Sequence, residues 1–190
     1  FEKSPSTSNM LNLARQKREL GDSEGAQHLQ EVYVKKHPED LVARMALANS
    51  YAASNQVNMA IKEYVRVLEI NGNNHMALNN LAWFLRDTNP QQALEYAKRA
   101  NEIKPESATL MDTLAVVLLK NGEIQKAQRT IARALVNAPG NLTMRYHSAM
   151  IDSSVGDKAS AIKTLKAILE KGTDFPEMDQ AIKLLAQLES

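Results

Sequence analysis

The stretch Leu78–Pro105, LNNLAWFLRDTNPQQALEYAKRANEIKP, decides how the rest of the chain is read. Leu78, Leu81, Ala82 and Leu85 recur at three- and four-residue steps, which places them on one face of a helix. Asp87-Thr88-Asn89-Pro90 breaks that pattern. Asn and Asp favour turns, and Pro suits the first position of a following helix, where its missing N–H costs nothing. A second stripe of Ala93, Leu94, Ala97, Ala100 and Ile103 follows, small enough for two helix backbones to approach closely. Lys104-Pro105 closes the second helix, because a residue before proline avoids the helical region. The stretch predicts an antiparallel helical pair.

The same pair recurs on both sides. The alanine near the start of the second helix stands at Ala26, Ala60, Ala93, Ala127 and Ala161, at intervals of 34, 33, 34 and 34 residues. The first-helix pair stands at Leu13-Ala14, Leu47-Ala48, Leu81-Ala82 and Leu114-Ala115, and decays to Ser148-Ala149 in the fifth unit. The closing proline stands at Pro38, Pro105 and Pro139, with Gly72 and Thr173 in its place elsewhere. The single short interval predicts a turn one residue shorter at Thr88-Asn89-Pro90.

A helix-turn-helix period of 34 residues resembles the tetratricopeptide repeat family. The likeness covers about residues 7–172, and the second unit carries Leu47, Ala48, Tyr51, Ala60 and Tyr64 at the family's packing positions. Two departures are plain: the family's early Trp is missing, and its usual Gly is Ala in every unit. The resemblance implies an all-α protein, a right-handed α-solenoid of about five helical pairs. The units run about 7–39, 40–73, 74–106, 107–140 and 141–172, after a leader at 1–6 and before a capping segment at 173–190.

In chain order, Ser8 or a neighbour caps a first helix reaching about Leu20, and Ser23–Lys36 follows the Gly21-Asp22 turn. Unit two takes Asp40–Asn55 and Val57–Ile70. Unit four takes Ser107–Lys120, the Asn121-Gly122 turn and Glu123–Asn137. Unit five takes Asn141–Val155, the Gly156-Asp157 turn and Lys158–Lys171. A last unpaired helix, Glu177–Leu188, sets Met178, Ala181, Ile182, Leu185 and Leu188 against unit five and turns Glu177, Asp179, Lys183, Gln187 and Glu189 to water. A polar-faced cap suits the end of a helical stack. The Ser/Pro/Thr-rich start, without Met, is read as the join to a longer protein with further repeats upstream.

Composition narrows the partner. The 190 residues carry 23 basic and 22 acidic side chains, a formal net charge of +1. Nucleic acid or an anionic membrane as main partner needs a concentrated basic surface, which this balance does not supply. There is no cysteine, which removes disulfides and thiolate metal sites and suits cytoplasm or periplasm alike. The longest apolar run, Leu114–Leu119, is six residues against the roughly 20 that span a bilayer. His28, His37, His75 and His147 are never spaced i, i+4, and neither a glycine-rich phosphate loop nor a GxSxG elbow occurs. The reading is a non-enzymatic protein with no cofactor and no metal.

The binding surface comes from the resemblance. In this family the first helices line a concave groove that holds an extended peptide or a partner helix. Carried over, the groove set is Leu11, Asn12, Arg15 and Arg18; Met45, Asn49 and Ala52; Asn79, Asn80, Trp83 and Arg86; Asp112, Thr113 and Val116; Tyr146, His147 and Met150. Asn carries both a donor and an acceptor for a peptide backbone, and Trp83 and Tyr146 offer large apolar faces. Each has a second reading. Trp83 either faces the groove or packs against unit two, the Asn residues either bind a ligand or cap and bridge helices, and Arg15, Arg18 and Arg86 are either solvated or favour an acidic ligand. The Lys/Asn carboxylate clamp of the chaperone-binding members is absent.

Within the C-terminal half, LNNLAWFL, LEYAKRANEIKPES, MDTLAVVLLKNGE and the ending MRYHSAM…GDKASAIKTLKAILEKGTDFPE are similar to exosortase/PEP-CTERM-associated tetratricopeptide lipoproteins. That resemblance implies a periplasmic scaffold tied to exopolysaccharide export and protein sorting, with a lipid anchor on the longer protein. The expected function is a scaffold for a protein or peptide ligand. The alternatives are a self-associating structural array and an accessory subunit holding a polysaccharide on Trp83 and Tyr146.

Overall fold

The structure is a computed structural model and describes residues 6–170 and 174–190. Among the described residues there are eleven helices and no strand. They are α1 (Thr7–Glu19), α2 (Ser23–Lys36), α3 (Leu41–Ala53), α4 (Val57–Ile70), α5 (His75–Leu85), α6 (Pro90–Ile103), α7 (Ala108–Lys120), α8 (Ile124–Asn137), α9 (Leu142–Val155), α10 (Lys158–Leu169) and α11 (Met178–Glu189). The chain divides into two compact units, residues 1–84 and 85–190, a division that falls at the end of α5. Residues 1–5 of the expected leader at 1–6, and residues 171–173 at the expected end of unit five and start of the cap, lie outside the described residues. No described helix is long and apolar enough to cross a membrane.

Local chemistry places the helix ends. Asp22, Asp40, Asn74, Asn89, Ser107, Asn141 and Asp157 each accept a bond from the backbone N–H three residues on, satisfying one of the orphan donors of a first turn. For α1 that residue is Ser6. At the C-terminal ends of α2, α6 and α8, the residue before Pro38 or Pro105 or Pro139 is the cap, extended in φ, as the proline requires. Turns inside the pairs use the left-handed region: Gly21, Gly122 and Gly156 have φ of 83°, 75° and 90°, and Asn55 takes the same role at 59°.

The short interval has a different origin from the one expected. The connection at 86–89 is no shorter than the others; α5 itself is short, with 11 residues against 13 in α1, α3 and α7. Asn89 precedes Pro90 and is extended (φ −144°), and no described residue in this connection has positive φ. The helix therefore unwinds early, with the Thr88 and Asn89 amides donating back to the Leu85 carbonyl.

The repeat alanines carry the packing. Ala26, Ala60, Ala93, Ala127 and Ala161 each have 0% exposed surface. In residues 1–84, α1 lies on α2 and α3, and α3 on α4. The buried set there is built on Met10, Tyr33, Leu47, Tyr64, Leu78 and Leu81. Ala14 is buried as expected, but its neighbour Leu13 is 47% exposed, because α1 is covered by helices on one side only. Arg44 pairs with Glu63 in a mostly buried bridge and donates through Nη2 to the Pro38 carbonyl at 2.7 Å. Arg145 repeats this on the Pro139 carbonyl at 3.1 Å, six residues upstream as before.

In residues 85–190, one core joins Met111, Ala115, Leu118, Ile131, Met144 and Ile151 across α7, α8 and α9. A second joins Ala149, Leu165, Ile168, Phe175 and Ala181, with Met178, Leu184, Leu185 and Leu188 of α11 packed against it. The final helix covers α10 as anticipated, with one exchange of roles. Ile182 is exposed and Leu184 takes the inner place, since Phe175 already fills the start of that face. Ile103 of α6 is likewise more exposed than the stripe suggested.

Candidate functional site

The expected binding positions are placed differently in the two units. In residues 1–84 the first helices α1, α3 and α5 hold their packing positions inside and leave polar positions open. Asn12, Arg15, Arg18 and Asn49 are exposed, while Met45, Asn79, Asn80 and Trp83 are half-buried. Arg15 lies 3.7 Å from Glu19 along its own helix, an exposed pair of small weight. Asn49 and Asn80 are brought together by Tyr64. The Tyr64 hydroxyl donates to Asn49 Oδ1 at 2.7 Å and is also hydrogen-bonded by Asn80. Burial pushes the Tyr64 hydroxyl above its usual pKa, with the Asn80 bond opposing. The Asn79 carboxamide oxygen is buried without a hydrogen-bond partner among the protein's atoms.

A cavity of about 810 Å³ opens in this unit between α1, α2 and α3. Arg18 and Asn49 line it, joined by Gln27, Gln30, Glu31 and Ser50, none of which the sequence reading proposed. Gln30 is 1% exposed. Its Oε1 accepts from the Ser50 hydroxyl at 2.5 Å, and Ser50 in turn accepts a long bond from Arg18 Nη1 at 3.4 Å. This chain of donors fixes the amide's orientation and leaves Gln30 Nε2 buried with no partner. Glu31 Oε1 accepts from the Tyr51 hydroxyl at 2.9 Å and from Gln27 Nε2 at 3.1 Å. Burial, reinforced by the Glu31 carboxylate, raises the Tyr51 hydroxyl well above the ordinary tyrosine range, so that its proton stays in place.

The signal for Gln30 was in the repeat register. Four residues beyond each repeat alanine stand Gln30, Tyr64, Ala97, Ile131 and Leu165, all buried. Gln30 is the one polar residue in that column. Attention to the first helices passed over it, because it sits on a second helix.

Residues 85–190 treat the first-helix positions differently. Asp112 and Thr113, expected on the binding face, are 7% and 5% exposed, and Val116 is buried beside them. His147, also expected there, is 3% exposed, with Nδ1 2.8 Å from Asp112 Oδ1. α7 lies against α6, α8 and α9, and His147 of α9 meets Asp112 of α7 directly. Asp112 and His147 satisfy each other instead of a ligand, the usual condition for burying such groups. The structure thus places Asp112, Thr113 and His147 inside the fold and not on an open face. Tyr146 stays half-buried beside the His147 ring, at 5.6 Å between centroids, and Met150 is half-buried. Arg86, the remaining expected contact, reaches Asp87 at 3.4 Å, and Asp87 also binds Lys120 at 2.6 Å.

Among the described residues no three His, Asp or Glu side chains gather as a metal site would require. The buried histidine and its carboxylate partner are engaged with each other, and the buried tyrosine hydroxyls bond to Asn49 and Glu31.

Comparison with known proteins agrees with this geometry. Residues 84–149 match the sequence model of the tetratricopeptide repeat family. No curated protein sequence matches the chain. Among solved structures, the chain is similar to a thermophilic tetratricopeptide-repeat protein of Thermus thermophilus, at 23% identity and TM-score 0.71, covering 95% of this chain and 97% of that one. It is similar to MamA from Desulfovibrio magneticus at 15% identity and TM-score 0.74, covering 87% and 96%. It also resembles YrrB, a tetratricopeptide-repeat protein described with an unusual peptide-binding site, at 17% identity and TM-score 0.67, covering 85% and 84%. At these identities the structures speak for the fold.

Proposed function

We propose that this chain, a tetratricopeptide-repeat protein, is a non-enzymatic scaffold that holds an extended polypeptide segment on the first-helix face of residues 1–84. One observation carries the reading. In α1, α3 and α5 the packing residues Ala14, Leu47, Ala48, Leu81 and Ala82 are buried, while Asn12, Arg15, Arg18 and Asn49 remain open to solvent. A face of amides and guanidinium groups on rigid helices offers donors and acceptors at fixed spacing, which suits a peptide backbone. Asn79, whose buried oxygen lacks a partner, adds an acceptor for a backbone N–H. The peptide-binding site ascribed to YrrB is consistent with this use of the fold.

We assign the partner to the bacterial envelope, within exopolysaccharide export or protein sorting. The support is the resemblance of the C-terminal segments to PEP-CTERM-associated lipoproteins; fractionation of cells producing the full gene product tests it, and a purely cytosolic pool would reject it. For the binding face, a displayed library of random peptides is panned against the chain. Arg15→Glu and Asn12→Ala should release most of the enriched peptides. If no sequence enriches, or if both variants retain every peptide at full affinity, the scaffold reading is wrong.

A second reading, self-association, is favoured by Leu13 on α1 and Leu20, the residue that caps its C-terminal end, which are 47% and 85% exposed. Sedimentation of Leu20→Lys against the parent protein separates the two: a dimer lost in the variant supports association through α1.

A further inference from the structure

We infer that the cavity between α1, α2 and α3 is a pocket for a lysine or arginine side chain of the bound segment, with Gln30 receiving a backbone carbonyl beside it. This rests on the scaffold reading and specifies what the scaffold selects.

Four observations converge. The first is the register: where the other repeats place Tyr64, Ala97, Ile131 and Leu165, this repeat places an amide. An apolar residue there would pack without cost. A buried amide hydrogen left unpaired costs free energy unless something accepts from it, so its position calls for an acceptor. A peptide carbonyl is such an acceptor, and it carries no charge that the neighbouring carboxylates would repel.

The second is charge. Glu24 and Glu31 both line the cavity, against Arg18 and the titratable His28. Glu31 uses one oxygen for Tyr51 and Gln27; its other oxygen lies 3.8 Å from His28 Nδ1, too far for a hydrogen bond. An incoming ammonium or guanidinium group would take that oxygen in place of the exposed His28 ring. A carboxylate ligand would meet two like charges at close range.

Third, Ala46 and Ala53 supply the only apolar side chains among the residues lining the cavity. They stand seven residues apart on α3, two turns along one face. An aliphatic stem ending in a cation matches such a lining: the methylenes cover the alanines while the head reaches the carboxylates. Fourth, the volume of about 810 Å³ exceeds what one side chain fills and leaves room for the flanking backbone.

Fluorescence anisotropy with three labelled peptides tests this. They share one extended Gly/Ser/Asn sequence and differ only in a central lysine, norleucine or glutamate. The lysine peptide should bind tightest, with the glutamate peptide about fivefold weaker or more. Glu24→Lys should remove that preference, while Glu69→Lys, outside the cavity, should leave it intact. Gln30→Leu, which restores the apolar residue of the column, should weaken all three peptides together, since it removes the carbonyl contact and not the charge. Thermal melts of both cavity variants confirm that they are folded. Equal binding of lysine and glutamate peptides, or a lysine preference indifferent to Glu24→Lys, overturns the inference. If peptides from the random library still depend on Asn12 and Arg15 in that case, the scaffold reading stands and the pocket alone is refuted.

Discussion

Helices α3 and α7 occupy the same place in their repeats yet live in opposite surroundings. α3 keeps Ala43, Leu47, Ala48 and Tyr51 inside and leaves Asn49 exposed, although it too packs against three helices, α1, α2 and α4. α7 buries eight of its thirteen residues, Asp112 and Thr113 among them. The polar groups that α7 encloses must be answered from within the fold. Asn49 thus stays open to solvent on α3 while Asp112 and Thr113 are enclosed on α7, although the two helices share a register. Where a residue sits in the repeat does not say whether it meets solvent; what covers it does.

The most damaging way to test this contrast is to remove one half of the buried Asp112–His147 pair. His147→Ala leaves a carboxylate enclosed at 7% exposure and opens a void beside it. A loss of about 3 kcal/mol in unfolding free energy is expected, read from urea denaturation. The double variant Asp112→Leu/His147→Leu should recover most of it, because the enclosed charge has gone. By contrast Asn49→Ala, at the exposed counterpart on α3, removes one acceptor from Tyr64 and should cost about 1 kcal/mol or less. Equal losses for His147→Ala and Asn49→Ala would erase the distinction drawn between the two helices.

Next in size is the alanine column. Ala127→Leu forces three extra carbons into a space with 0% exposure between α8 and its neighbours, and about 2 kcal/mol of destabilisation is expected. Four residues on from the repeat alanine of α2, Gln30→Leu should act the other way. It replaces an amide with an unpaired buried hydrogen by the kind of residue found at Ile131 and Leu165, and a gain of about 1 kcal/mol is expected in the same denaturation experiment. A stabilised protein that binds peptides less well is the mark of a position kept polar for function. A destabilised Gln30→Leu variant would instead make the amide structural.

Most of the fold was legible because its cause is periodic. Five alanines in register, prolines after the second helices and Asp, Asn or Ser before the first turns each act within a few residues, so the helix ends follow from sequence to within a residue or two. The short interval was assigned to the turn instead of α5, since the spacing of Ala60 and Ala93 records only a sum of helix and turn. The site was less legible. Asp112, Thr113 and His147 stand at the family's groove positions, and their burial depends on how α7 and α9 pack, which the repeat spacing does not record. Gln30 could have been found from the register alone: a polar residue in a column of Tyr, Ala, Ile and Leu is a local contradiction, and such contradictions gather where function competes with packing.

The smallest effect expected is electrostatic and touches both units alike. Asp40 is partly desolvated, which would raise its pKa, but the Thr7 hydroxyl and the amides of Ala43 and Val42 outweigh that and hold it below the ordinary carboxylate range. Asp22 is lowered by Lys17 and the Gly25 amide, and Asp157 by Ser160. In each case the folded protein binds the proton less readily than the unfolded chain. The stabilisation is therefore present in full above the unfolded pKa of about 3.9 and disappears as pH falls through the lowered folded values. Melting temperature should be flat from neutrality down to about pH 5 and then decline. Asp22→Asn and Asp157→Asn keep an oxygen for the cap and remove the titration, so the double variant should melt slightly lower at neutral pH and fall less steeply in acid. An acid decline as steep as the parent's would assign the loss to carboxylates elsewhere. The capping aspartates, present at α2 in one unit and α10 in the other, would then contribute to where the helices begin and not to how the protein responds to acid.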